Sequence, residues 1–252
     1  MSYKAVTILF IFFLTVTGTI TGKSEPQAGN TVIIDRLNKQ NIRGDISIAY
    51  VWGEQLAFPQ RFVKGLFNLR NAMHKWTNLK VSFDEHIVLS SERLHTKPFV
   101  YVTTDDIFEL TATERVNVRK YLENGGFMVL ENAYPKNDFS LSEATLKKMI
   151  YDAVPNAHFV MIPNNHPLYH CFFDFDDGPP NGAELGSVGI FLAPQRFYLE
   201  GVWIGDRLVA LYTNKGYIIK WSEAANNEPQ LRMGVNMIVF ALTQSGGIAK
   251  SR

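Results

Sequence analysis

The sequence is poor in cysteine, in net charge and in long apolar runs. A single cysteine, Cys171, stands among 252 residues. It cannot close an internal disulfide, so the chain is not a disulfide-stapled scaffold. Lys and Arg number 25 against 24 Asp and Glu, a formal net charge of +1. That balance provides no electrostatic footprint for nucleic acid or for an acidic membrane surface. No uninterrupted apolar stretch reaches the roughly 20 residues that span a bilayer. No Asn-x-Ser/Thr sequon occurs; for an exported chain this favours a bacterial periplasm over a eukaryotic secretory route. Apolar residues, in contrast, make up 46% of the chain. That is too many for a disordered polymer and enough to core one large domain or two small ones.

The first residues read as an address. Lys4 precedes an apolar run from Ala5 to Val16, and small or polar residues follow from Thr17 to Gly22. A basic start, a short apolar centre and a small-residue exit predict a secretory signal peptide over 1–22. The other reading is a buried first strand or an uncleaved anchor. Both Val16-Thr17-Gly18 and Ile20-Thr21-Gly22 are usable cleavage sites, and no cysteine is there to carry a lipid. Residues 23–31 form a polar, flexible lead-in. The mature chain would have no transmembrane span.

Strand and helix signals then alternate. Ile46–Trp52 is β-rich. Pro59 opens a helix with Phe62, Leu66, Leu69, Met73 and Trp76 on one stripe. Leu79–Phe83 is a second short strand, Ile87–Leu89 a brief extended piece, and Pro98–Thr103 a strand buried on both faces. Thr111 and Glu114 fit a capping box, and Asn124-Gly125-Gly126 fits the end of that helix. Phe127–Leu130 is the next strand. Ser140 and Glu143 suggest a second capping box, and His158–Ile162 another strand. Val202–Ile204 and Leu208–Tyr212, joined by Gly205-Asp206, read as a hairpin. Pro229–Thr243 is a closing helix, apolar on two stripes. This order predicts a single α/β domain over 32–245 and a tail over 246–252. Its mostly parallel sheet is flanked by helices and carries a C-terminal β-hairpin elaboration and a final helix.

Four stretches carry a resemblance: Lys97–Val102, Tyr121–Phe127, His166–His170 and Leu199–Trp203. In this order they resemble the exported domain-of-unknown-function 4159 family, over most of the chain from Val32 to the last helix. The resemblance implies a flavodoxin-like fold related to class I glutamine amidotransferase-like domains. It also implies association with bacterial clusters encoding MoxR-type ATPases and von Willebrand factor A proteins. It implies no established reaction.

In an open parallel sheet, ligands bind beyond the carboxyl ends of the strands. Trp52 and Glu54, Thr104, and Asn132 are the ligand-binding candidates there. Asp105, Asp106, Glu131 and His166 are the catalytic candidates, with Glu131 the best single general base and Asp105 and Asp106 possible paired carboxylates. Adjacent acids also commonly cap a turn. An amidotransferase needs a thiolate at a strand-to-helix elbow. The analogous strand ends Thr103-Thr104-Asp105, and Cys171 sits among bulky apolar residues without a glycine elbow, as a small buried hydrophobe would. His166, His170 and Asp174, with Asp176 and Asp177 nearby, are the ligand types of a divalent-metal site. The plainer alternative is a His-Pro turn before a solvated acidic loop. No other cofactor is expected; Gly125-Gly126 precedes a strand, the wrong order for a phosphate cradle.

These features point to an exported, non-catalytic α/β domain that binds a protein partner in the cell envelope or a small-molecule ligand, and not nucleic acid. Trp203 and Trp221 are possible interface anchors. The alternative is a metal-assisted or carboxylate-dependent hydrolase with its site at the strand ends.

Overall fold

The computed structural model describes residues 30–35, 38–132, 135, 140–183 and 197–251. The signal-peptide expectation lies outside them. Among these residues nine strands form one mixed sheet. Its centre is parallel, in the order β3 (Asn78–Val88), β2 (Asn38–Trp52), β4 (Val100–Thr104), β5 (Met128–Asn132) and β8 (Arg207–Thr213). The sheet is less uniformly parallel than the sequence suggests. Strand β1 (Thr31–Asp35) runs antiparallel to β2. At the far side, β7 (Glu200–Ile204) is antiparallel to β8, and β6 (Val160–Met161) to β7.

Two strands are longer than their apolar runs. Strand β2 begins at Asn38, in a polar stretch that leads to the buried Ile42. Pairing with β1, and not side-chain alternation, makes it extended. The pieces Leu79–Phe83 and Ile87–Leu89 join as β3, because an irregularity between Ala49 and Val51 of β2 keeps the two strands paired. Strand β3 has an outer edge, a hazard for uncontrolled pairing. Side chains close its start: the Leu79 N–H donates to Thr77 Oγ1 (3.1 Å) and the Val81 N–H to His74 Nε2 (3.0 Å).

The hairpin is not an appendage. Its turn is at Gly205-Asp206, and β8 lies inside the sheet, between β5 and β7. Residues 246–251 also return to the body. The Ile248 N–H donates to Gly125 O (3.1 Å), and β9 (Lys250–Ser251) pairs with β1.

Helices cover both faces. Helix α2 (Ala112–Glu123) starts with the full capping box of Thr111 and Glu114. It ends at Gly125, whose φ of 102° suits glycine, and a Cβ there would lie 2.7 Å from Gly246 O. Helix α3 (Leu141–Ala153) has half of its expected box. The Glu143 N–H donates to Ser140 Oγ (3.1 Å), whereas the Glu143 carboxylate pairs with Lys147 (3.0 Å). These two helices pack on one face with Leu122, Leu146 and Ile150. On the other face lie α1 (Val63–Trp76), the short α4 (Tyr217–Trp221) and α5 (Glu228–Thr243). Helix α1 begins with a 3₁₀ turn at Gln60–Phe62, and α5 is buried along both apolar stripes. Close crossings need glycine. A Cβ on Gly65 of α1 would lie 2.6 Å from Ile218 O, and one on Gly234 of α5 would lie 2.6 Å from Leu69 Cδ1. Trp221 fills this crossing at 0% exposure and donates to Gln230 O (2.8 Å), so it is a core residue and not an interface anchor.

Candidate functional site

The chain leaves β2 toward β3 on one side and then crosses to β4 on the other. This reversal lies between the carboxyl ends of β2 and β4, where an open sheet offers its crevice. The structure brings Trp52, Glu54, Thr104, Asp105 and Asp106 to this end. Asp105 is ion-paired with Arg61. Thr104 Oγ1 accepts the Asp106 N–H (3.0 Å), and Asp106 Oδ1 accepts the Ile107 N–H (2.9 Å). The two acids therefore have different work, one an ion pair and one a turn. The Glu54 side chain is exposed, while its N–H donates to Glu114 Oε1 (2.8 Å). Trp52 is half-buried against the core.

Glu131 lies one strand further, at 0% exposure. Its carboxylate accepts the Tyr101 hydroxyl and the N–H groups of Tyr217 (2.8 Å) and Ile218 (2.7 Å). Gly216, with φ 62°, turns the chain so that these N–H groups face the carboxylate; a Cβ there would lie 2.5 Å from Pro135 Cγ. Glu131 thus anchors the start of α4. Burial first, and then the neighbouring Glu131, push the Tyr101 hydroxyl well above the usual tyrosine range. Asn132 is buried as well. Its amide donates to Ser140 Oγ (2.8 Å) and Asn214 Oδ1 (2.7 Å), joining β5, β8 and the start of α3. Sequence reasoning missed Asn214 and the buried Lys215 beside it, because nothing local marks β8 as a central strand.

The histidines use their ring nitrogens on different backbone groups. His166 Nδ1 accepts the Leu168 N–H (3.1 Å) and caps the 3₁₀ turn Pro167–Tyr169, its ring between Phe240 and Trp203. Burial lowers its pKa from the ordinary histidine value. His170 Nε2 faces Asn164 O (2.8 Å), and its Nδ1 lies 3.5 Å from Asp174 and 3.8 Å from Asp176. Lys39 binds both Asp174 oxygens (2.6 and 2.8 Å) and, with help from His170, holds that carboxyl below its usual range. Among the described residues, no three His, Cys, Asp or Glu side chains are grouped as a metal site. The Cys171 thiol donates to Asn236 O (3.3 Å), and burial pushes it up to about 12. A thiol so raised keeps its proton at neutral pH, unlike the thiolate that nucleophilic attack needs.

A different face leaves aromatic and cationic groups accessible. Lys64, Asn68, Asn71 and Lys75 recur at positions i, i+4, i+7 and i+11 along α1. With Trp76 they form one wall of a groove of about 370 Å³; Glu223, Asn227, Glu228 and Leu231 form the other. Trp76 is half-buried. Lys75 lies 5.2 Å from its ring centre, and Phe173 meets it edge-on at 5.4 Å. Arg232 lies over both Trp76 (6.0 Å) and Phe173 (5.0 Å). A second hollow, lined by Phe173, Asp174, Phe175 and Arg232, continues the groove past Glu228.

Comparison with curated proteins finds no match. Among solved structures, a protein described as ThuA-like from Bacteroides uniformis ATCC 8492 matches with a TM-score of 0.41 and 13% identity, over 90% of this chain and 97% of its own. The model of one family matches residues 47–242, most of the chain, and the chain therefore belongs to the family described as Domain of unknown function (DUF4159).

Proposed function

We propose that this chain is an exported, non-catalytic domain of flavodoxin-like type, and that it docks a partner protein in the cell envelope through the α1–α5 groove. The strand order β3-β2-β4-β5-β8 supports the flavodoxin-like reading. The observation that carries the proposal is the division of labour between the two regions. At the strand ends, Glu131, Asn132 and Thr104 spend their polar groups on the fold, and Asp105 is held by Arg61. In the groove, half-buried Trp76 lies beside Arg232, both residue types enriched at protein interfaces, within a polar rim of lysines, glutamates and amides. The hydrolase alternative draws on Asp105, Asp106, His166 and Glu131, and the enclosure of Glu131, its best single general base, by two backbone N–H groups weighs against it.

A photo-crosslinking residue at position 71, in the groove, and another at Lys120, on exposed α2, test this in cells. The expected result is one discrete protein adduct from position 71, lost with Trp76→Ala, and none from Lys120. Equal adducts from both positions, or none from position 71, would refute the docking face. Turnover of ester or amide substrates that is lost in Glu131→Gln, with the fold retained, would favour the hydrolase.

A further inference from the structure

We infer that the α1–α5 groove receives an extended acidic segment of the partner, with two carboxylates flanking an apolar residue. This inference rests on the docking reading above and adds the partner's chemistry. It starts from the pairing of charges in the groove. Glu223 is paired with Lys220 (2.9 Å), and Glu228 with Arg232 (2.5 Å). In the adjoining hollow, Asp174 is paired with Lys39 (2.6 Å). Every carboxylate of this face thus has a cation of its own. Lys64 and Lys75 have no carboxylate partner among the described residues, although both are exposed and both line the groove. After pairing, the face keeps two positive charges on a chain whose total is +1.

The spacing of these lysines defines the ligand. They are eleven residues apart on one helix, a rise of about 16 Å. That is too far for one small anion to bridge. An extended chain advances about 3.3 Å per residue and alternates its faces, so carboxylates four or six residues apart share a face and can meet both ammonium groups. Between the lysines lie Asn68 and Asn71, and Ala72 and Leu231 add apolar surface beside Trp76. Asn71 is exposed and able to bond a peptide backbone; Asn68 already donates to Trp221 O (2.6 Å). An apolar side chain between the two acids would sit against Ala72 and Leu231, on the side of the groove that leads to Trp76. Rim charges of this kind act mainly on association rate and specificity, and salt weakens them.

The test uses the purified chain and short fluorescein-labelled peptides, read by fluorescence anisotropy. One peptide has two glutamates four positions apart with a leucine midway, so that all three side chains share one face when extended. The others replace both glutamates by glutamine, or the leucine by serine. The glutamate peptide should bind at least about 10-fold more tightly than the glutamine peptide, and salt raised from about 50 to about 300 mM should weaken it. Lys64→Glu with Lys75→Glu should abolish this preference. Arg115→Glu with Lys120→Glu on α2, an equal change of net charge, should leave it intact. Equal binding of the two peptides, equal loss in both double variants, or no binding up to about 1 mM would overturn the acidic assignment. So would displacement by heparin that persists in the Lys64→Glu/Lys75→Glu variant. A specific crosslink from position 71 combined with failure of the peptides would retain the docking face and discard only its proposed ligand.

Discussion

Asn236 offers a direct test of how the groove is built. It lies on α5 at 0% exposure, and its side chain makes three hydrogen bonds to the loop that carries Phe173. The amide donates to Leu168 O (3.0 Å) and Phe173 O (2.8 Å), and its oxygen accepts the Phe173 N–H (2.8 Å). The 3₁₀ turn Pro167–Tyr169 and the Phe175 N–H donated to Tyr169 O (3.0 Å) hold the ends of this loop, and Asn236 supplies the bonds between them that a ladder would. Asn236→Ala removes all three bonds and strands three main-chain groups of the loop. At a net 0.5–1.5 kcal/mol each, the loss is about 3 kcal/mol. For a domain of this size that is a fall of about 6–12 °C in melting temperature. Asn236→Leu keeps the volume and should lose nearly as much, which separates hydrogen bonding from packing. The assays are thermal and urea unfolding, with hydrogen exchange at the Phe173 amide as the local readout. If Asn236→Ala stayed within about 1 kcal/mol of the parent, or Asn236→Leu restored stability, the account of the loop would be wrong.

Two further predictions follow from local geometry. His166 must be neutral to accept the Leu168 N–H, and burial lowers its folded pKa, so the unfolded chain takes up the proton first. Its contribution is complete above the ordinary histidine value of about 6.5 and is lost as pH falls through and below it. Urea midpoints at about pH 7.5 and 5.5 should therefore diverge more in the parent than in His166→Asn, which keeps a capping acceptor without titrating; identical divergence refutes the role. Gly65→Ala pits helix propensity, a gain of up to about 1 kcal/mol, against a Cβ 2.6 Å from the Ile218 carbonyl. Overpacking costs about 1–3 kcal/mol, so a net loss is expected. A stabilised Gly65→Ala in a thermal melt would show that α1 and α4 can separate cheaply.

The elements with complete local signals were legible before any coordinates. Thr111, Glu114 and Gly125 bound α2 as expected, because a capping box and a positive-φ glycine act within one helical turn. The Gly205-Asp206 turn and both apolar stripes of α5 were equally readable. The start of β2 was not, since that polar segment extends through its pairing with β1 and not through its composition; β1 itself, with Val32, Ile33 and Ile34, has a β-rich run that the reading passed over. Helix α4 was missed because its start depends on Glu131, 86 residues away in sequence from Tyr217. The same distance hid the partners of Glu131. Glu131 at a strand end has the look of a general base, and only its two backbone donors show it to be a helix anchor.

The sequence alone determined which segments could bury a face, where helices begin and end, and that Cys171 has no nucleophile's setting. Each is a property of neighbours within a few residues. The tertiary structure decided what the polar groups are for. It placed β8 in the middle of the sheet, closed Glu131 and Asn132 into the fold, and set the α1 lysines beside Trp76 across from α5. A hydrogen-bonding or charged group has no role until its partner is known, and here those partners come from distant parts of the chain.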